Sequence, residues 1–121
     1  RADLTITELG TSTGRLTESL VGDLCRRFYG HWNGNFYDGI EKLTSTKPTQ
    51  ARYQEIRLSK WYKSYLHTLR TLRNQAAHTN NESEQSFPKE LQFGDGLVML
   101  SSLLRVLELY HDLIVTKNTS N

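Results

Sequence analysis

The sequence predicts an all-α domain, a small antiparallel bundle of four to five helices. Apolar side chains recur every three or four residues in several stretches, and no stretch shows the period-two alternation typical of a half-buried strand. The two prolines, Pro48 and Pro88, both fall where the apolar periodicity changes. With 121 residues, 36% of them hydrophobic, the chain has room for a single core, so we expect residues 1–121 to form one domain.

The block before Pro48 predicts two helices. The first is marked by apolar residues at steps of seven, four, four and four: Leu9, Leu16, Leu20, Leu24 and Phe28. Thr5 and Glu8 fit a capping box at its start, but the glycine- and threonine-rich cluster at 10–14 weakens the next turn and moves the expected start to about residue 13. The turn-forming stretch at 30–35 should reverse the chain. A short second helix then follows from the spacing of Phe36, Tyr37, Ile40 and Leu43.

Two longer helices are predicted after Pro48. The third runs from about Gln50 to His78 and is marked by Leu58, Tyr62, Tyr65, Leu69, Leu72 and Ala76. The fourth follows Pro88 and carries an apolar stripe formed by Leu97, Leu100, Leu104, Leu107 and Ile114. More apolar residues lie beside this stripe, so we expect the fourth helix to be buried on more than one side, against several helices or at a subunit contact.

Cysteine, histidine and apolar content exclude several classes of protein. Cys25 is the only cysteine, so the chain is not a disulfide scaffold, and we expect a small core residue in a cytoplasmic protein. No apolar run approaches the roughly 20 residues needed to cross a membrane. The four histidines are scattered, so we expect no metal and no other cofactor. Because the chain begins at Arg1, we expect it to be a fragment of a longer protein.

Basic residues are concentrated in the predicted third helix. Residues 51–79 carry six basic side chains against Glu55 alone, although the whole chain has a net charge of only +2. Aromatic residues lie among them, and this combination suits phosphate contacts together with base stacking. The charge pattern alone favours a solvated polar face opposite the core. The alternative is RNA as a partner, with Arg57, Lys60, Lys63 and Arg70 as the candidate RNA-binding residues.

The end of the same helix carries a second constellation. On a helical wheel Arg70, Asn74 and His78 share an outward face, whereas Arg73 lies on the flank of the core. A histidine at a helix C-terminus is stabilised as imidazolium by the helix dipole, which suits proton transfer. The alternative is that these are ordinary helix-end and surface residues.

The string Arg73-Asn74-Gln75-Ala76-Ala77-His78, on the third of four helices, resembles the signature of the HEPN superfamily (higher eukaryotes and prokaryotes nucleotide-binding), which is Arg, four to six residues, then His. The longer segment Leu69–His78 of this chain also resembles the corresponding stretch of several uncharacterised bacterial HEPN-like families. It implies a metal-independent endoribonuclease in which His78 transfers a proton, Arg73 stabilises the transition state and Asn74 orients the site. It also implies toxin–antitoxin or antiviral defence settings, with an antitoxin or a fused effector or sensor domain as partner.

The resemblance further implies a homodimer in which paired motifs form one composite site. The helical wheel is in line with this, because Arg73 and His78 lie about 140° apart on a regular helix and converge poorly without a break near Ala77. The alternatives are a non-catalytic HEPN-like dimerisation or RNA- or nucleotide-binding module, and an unrelated helical domain.

Overall fold

A computed structural model of the chain describes residues 2–45, 56–77 and 87–119, with side chains for residues 6–45, 56–77 and 87–116. This part of the chain contains four α-helices and no strands: α1 Ala2–Tyr29, α2 Phe36–Leu43, α3 Lys60–Ala77 and α4 Phe93–Thr119. The predicted all-α class is confirmed, and four helices appear in the predicted order.

Helix α1 begins eleven residues before the predicted start and runs through the glycine cluster at 10–14. The prediction of a start near residue 13 was wrong because these glycines allow α1 to pack closely against α3. A Cβ atom at Gly10 would lie 3.1 Å from the Cβ of Ala76, and one at Gly14 would collide with the side chain of Arg73. The low helix propensity of glycine is therefore offset by the close packing of α1 against α3.

The connection between α1 and α2 follows the turn chemistry of its residues. Gly30 ends α1 with a φ of 81°, a left-handed conformation that glycine adopts without steric cost, and its N–H donates to Arg26 O at 3.0 Å. Asn35 caps α2 by accepting a 2.8 Å hydrogen bond from the Asp38 N–H on its side-chain oxygen. The predicted reversal and the predicted second helix are both confirmed.

Helix α3 begins at Lys60, and residues 56–59 are not helical. The predicted start near Gln50 was wrong for these four residues because their backbone is bonded to other elements. The Leu58 N–H donates to Leu43 O at 2.9 Å, and the Tyr29 hydroxyl donates to Ile56 O at 2.5 Å. The rest of the predicted start, residues 46–55, lies outside the described residues.

Helices α1 and α3 form the middle of the bundle. Both α2 and α4 pack against this pair, and within the described residues α2 and α4 have no extensive contact with one another. They therefore cover opposite sides of the α1–α3 pair, which we call the α2 side and the α4 side. The core between them contains the most fully buried side chains, including Val21, Cys25, Ile40, Leu43, Leu69 and Met99.

Candidate functional site

Arg73 lies in the groove between α1, α2 and α3, on the flank of the core that the helical wheel indicates. Its Nη1 donates to Glu18 Oε1 at 2.8 Å, and the two side chains are 29% and 27% exposed. The stem of the side chain occupies the space left by Gly14, and the guanidinium carbon lies 5.8 Å from the ring centre of Phe36. Three elements thus fix the position of one guanidinium group.

The other two predicted catalytic residues follow Arg73 along the chain. Asn74 lies on α3 and is exposed, on the same face of the helix as Arg70. His78, the predicted proton-transfer residue, lies outside the described residues, as does the rest of the polar loop up to residue 86. Helix α3 is described through Ala77, so the guanidinium of Arg73 and the amide of Asn74 are the parts of the motif whose setting is known.

Arg70 belongs to a polar network between α2 and α3. Its Nε donates to His67 Nδ1 at 3.1 Å, and His67 Nε2 lies 2.7 Å from Glu41 Oε2. Glu41 also accepts a 3.1 Å hydrogen bond from Lys63 Nζ. The ring of Tyr37 lies 5.1 Å from the His67 ring and 5.1 Å from the Arg70 guanidinium carbon. Two of the four predicted RNA-binding residues, Lys63 and Arg70, are therefore brought together around one carboxylate and one tyrosine.

The two hydrogen bonds of His67 assign a role to each of its ring nitrogens. A guanidinium only donates, so Nδ1 must accept from Arg70, and the ring hydrogen is then on Nε2, where it donates to Glu41. The hydrogen bond from His67, together with the one from Lys63, lowers the pKa of Glu41 from its usual value although partial burial opposes this. The carboxylate therefore stays ionised to a lower pH than that of an ordinary glutamate.

The two remaining predicted RNA-binding residues are exposed at the beginning of α3. Lys60 is its first residue and lies on the same face as Lys63 and Arg70, and Arg57 lies in the extended segment before it. The basic residues of this region accordingly extend along one face of α3. Their arrangement allows contacts with successive phosphates of an extended strand.

Cys25 is fully buried between α1 and α2, as expected of a core residue. Its Sγ lies 3.6 Å from Gly39 O, and burial raises the pKa of the thiol to about 11. It is not an activated nucleophile. The described residues contain no cluster of three or more His, Cys, Asp or Glu side chains that could hold a metal ion.

The α4 side has a different surface. Met99 and Val106 are buried in the core, whereas the outward stripe is largely exposed: Phe93, Leu97, Leu100, Leu104 and Leu107. Helix α4 packs against both α1 and α3 through its core face, and within the described residues its outward stripe is left uncovered. None of the helices, within the part of the chain that is described, is long and apolar enough to cross a bilayer.

Sequence reasoning missed the acidic and aromatic members of the site, which are Glu18, Tyr37, Glu41 and His67. A signal was present for one of them, because His67 shares the basic face of α3 with Lys63 and Arg70. Glu18, Tyr37 and Glu41 could be assigned only once the packing of α1 and α2 on α3 was known.

Comparisons with family models, curated proteins and solved structures found no match to this chain.

Proposed function

We propose that this domain is a metal-independent endoribonuclease whose active site contains Arg73, Asn74 and His78. The observation that carries the proposal is the setting of Arg73 at the end of α3. Glu18, Phe36 and the gap at Gly14 hold its guanidinium in one place, and a positively charged group held in advance stabilises a developing negative charge without reorganisation. The ion pair with Glu18 uses Nη1 of Arg73. Because a guanidinium carries five N–H donors, donors remain for a phosphate.

The proposed reaction is an attack of a ribose 2′-oxygen on the adjacent phosphorus. A bond forms between the 2′-oxygen and phosphorus while the bond from phosphorus to the 5′-oxygen breaks. The 2′-hydroxyl gives its proton to His78, and the leaving 5′-oxygen takes a proton from a second imidazole or from water. Arg73 stabilises the charge on the phosphorane-like transition state and Asn74 holds a phosphate oxygen. The products are a 2′,3′-cyclic phosphate and a 5′-hydroxyl, and the nucleophile is part of the substrate itself.

We also propose that the active site is shared between two copies of the chain. Arg73 lies on the α2 side, against Phe36. A shared site therefore requires the α2 sides of two copies to face each other. The inactive variants Arg73→Ala and His78→Ala test this directly when they are mixed. If Arg73 of one copy acts with His78 of the other, the mixed dimer keeps one complete site and part of the activity returns. Activity that does not return on mixing would contradict a shared site.

The nuclease proposal is tested with labelled RNA in buffer containing EDTA. We expect the wild-type chain to cut RNA, and Arg73→Ala and His78→Ala each to reduce the rate by at least about 100-fold. The matched control is Arg105→Ala, which also removes an arginine paired with a carboxylate at 2.8 Å, but on α4. Circular dichroism confirms that each variant remains helical. Cutting that survives both motif variants, or is lost equally in the control, would contradict the proposal.

One observation favours a second function, a non-catalytic RNA-binding module. The charge of Arg73 is already matched by Glu18, as expected for a residue whose role is to join α1 to α3. In that case the wild-type chain binds RNA without cutting it, affinity falls steeply with salt, and charge reversal of Lys60 and Lys63 weakens binding. Cleavage products from the wild-type chain that disappear in His78→Ala would exclude this alternative.

A further inference from the structure

Two consecutive aromatic residues of α2 each lie against an arginine of α3. Phe36 lies against Arg73 and Tyr37 lies against Arg70, at 5.8 Å and 5.1 Å from ring centre to guanidinium carbon. The two arginines are three residues apart, which is about 5 Å along the helix axis. The two pairs differ in burial, since Phe36 is 7% exposed and Tyr37 is 49% exposed. The Phe36–Arg73 pair therefore borders the core, and the Tyr37–Arg70 pair is accessible to a ligand.

The open face of Tyr37 is the one that points away from α3. Both of its ring contacts, His67 and Arg70, come from α3 and are hydrogen-bonded to each other, so they cover the same side of the ring. About half of the side chain remains exposed on the other side. An aromatic ring with one supported face and one open face is a surface on which another flat ring can stack.

The polar groups behind Tyr37 fix this surface in place. Glu41 lies one turn after Tyr37 on α2 and binds both His67 and Lys63 of α3, so the tyrosine cannot move away from α3 without stretching these bonds. His67 in turn engages Nε of Arg70, and the described residues place no hydrogen-bond partner on the two terminal nitrogens of the guanidinium, which are therefore donors for a ligand. A planar cation with free donors beside an aromatic ring suits a phosphate attached to a stacked base.

We propose that Tyr37 and Arg70 form a stacking site for one unpaired base of RNA, with the base on the open face of Tyr37 and its phosphate on Arg70. The choice of RNA as ligand rests on the proposed function. Because Arg73 and Asn74 lie within about one turn of Arg70, the next phosphodiester along the strand is brought to the motif. The site thereby selects single-stranded over double-stranded RNA, whose bases are stacked on one another.

The test measures binding of a ten-nucleotide fluorescent oligoadenylate by anisotropy, with an abasic oligonucleotide of equal length for comparison. Stacking on an aromatic residue contributes about 1–3 kcal/mol per base, so we expect Tyr37→Ala to weaken binding roughly 5- to 150-fold and Tyr37→Phe to retain it. The abasic oligonucleotide should bind the wild-type chain and Tyr37→Ala equally. Arg70→Gln should weaken binding of both oligonucleotides and reduce the salt dependence by about one phosphate contact.

Phe93→Ala is the matched control, because Phe93 is an exposed aromatic residue on the α4 side. It should leave binding unchanged. Tyr37→Leu is included because it preserves the apolar contact with α3 but presents no aromatic face, and it should behave like Tyr37→Ala. A loss of affinity that is equal in the Tyr37 and Phe93 variants, or equal for normal and abasic strands, would overturn the stacking site.

The outcomes also separate this inference from the nuclease proposal. If the wild-type chain binds and cuts RNA while Tyr37→Ala binds normally, the stacking site is wrong and the nuclease proposal stands. If Tyr37→Ala loses base-dependent binding but the wild-type chain never cuts, the stacking site stands and the nuclease proposal is wrong. If the wild-type chain does not bind RNA, both are wrong.

Discussion

The α2 side and the α4 side of the bundle cover the same pair of central helices with different chemistry. On the α2 side each arginine of the site lies against an aromatic ring, and carboxylates from α1 and α2 accept hydrogen bonds from α3. On the α4 side a row of leucines is exposed, and the ion pair Arg105–Glu108 lies on the surface. Fixed polar groups on one side and open apolar surface on the other indicate different kinds of contact.

The difference also concerns what holds each side together. The α4 side depends mainly on apolar contacts from one face of α4, to which the hydrogen bonds from Tyr110 to Asp23 and from Arg105 to Tyr62 are added. The α2 side depends on close approach at Gly14 and on hydrogen bonds between residues far apart in the sequence, such as Arg73 with Glu18 and His67 with Glu41. Substitutions on the two sides should therefore differ in the size of their effect on stability.

The largest effect is expected inside α4, where two consecutive residues differ in burial. Met99 is fully buried and Leu100 is 50% exposed. Met99→Ala should lower the free energy of unfolding by about 2–5 kcal/mol, because it leaves a cavity in the core, whereas Leu100→Ala should lower it by less than about 1 kcal/mol. Urea unfolding followed by circular dichroism measures both. Equal losses would show that the outward stripe is also covered in solution.

The next effect tests the close approach of α1 and α3. A Cβ at Gly14 would overlap the stem of Arg73, so Gly14→Ala should lower the free energy of unfolding by about 1–3 kcal/mol, despite the better helix propensity of alanine. Gly94, in the first turn of α4, has no atom within 4 Å of the same position, so Gly94→Ala is the control and should be neutral or stabilising. A stabilised Gly14→Ala variant would mean that the groove is wider than described.

Two ion pairs of equal length permit a direct comparison of the two sides. Arg73–Glu18 and Arg105–Glu108 are both 2.8 Å long, but the second pair is about half exposed. Glu18→Gln should cost about 1 kcal/mol of unfolding free energy because it weakens a partly buried contact, whereas Glu108→Gln should cost at most about 0.5 kcal/mol. Thermal unfolding in low and high salt measures both. The comparison fails if Glu108→Gln is the more destabilising change.

The smallest effect is a pH dependence on the α2 side. The pKa of Glu41 is lowered in the folded chain by the hydrogen bonds from His67 and Lys63, so this carboxylate stabilises the fold above its ordinary pKa of 4.5. That contribution is lost as pH falls through the lowered value. Glu41→Gln should therefore flatten the loss of stability between about pH 6 and about pH 3. Parallel stability curves for the variant and the wild-type chain would contradict this assignment.

Local patterns in the sequence were sufficient to predict the helices but not their ends. The steps of three and four among the leucines identified α1, α3 and α4, and the asparagine and glycine residues identified the turn before α2. The start of α1 could not be predicted because Gly10 and Gly14 have low helix propensity, and their value lies in contacts with residues about 60 positions away. The start of α3 depended on two hydrogen bonds of the segment before it, in which the Tyr29 hydroxyl donates to Ile56 O and the Leu58 N–H donates to Leu43 O.

The candidate site was only partly predictable for a related reason. Helical spacing placed Arg73 beside the core and Arg70 and Asn74 on one outer face, because that depends on one helix alone. The partners of these residues come from α1 and α2, and spacing within a helix carries no information about which neighbour lies opposite. Glu18, Tyr37 and Glu41 therefore required the packed structure.

The pairing of two adjacent rings with two arginines makes the register of α3 matter more than the identity of many of its residues. A single residue inserted between Arg70 and Arg73 would turn all that follows by about 100° and carry the second guanidinium out of its groove. The same insertion before Lys60 would leave both pairings intact, since the helix would still present its faces in the same order. Insertions and deletions before α3 should accordingly preserve these two pairings, whereas those within one turn of the motif should abolish them.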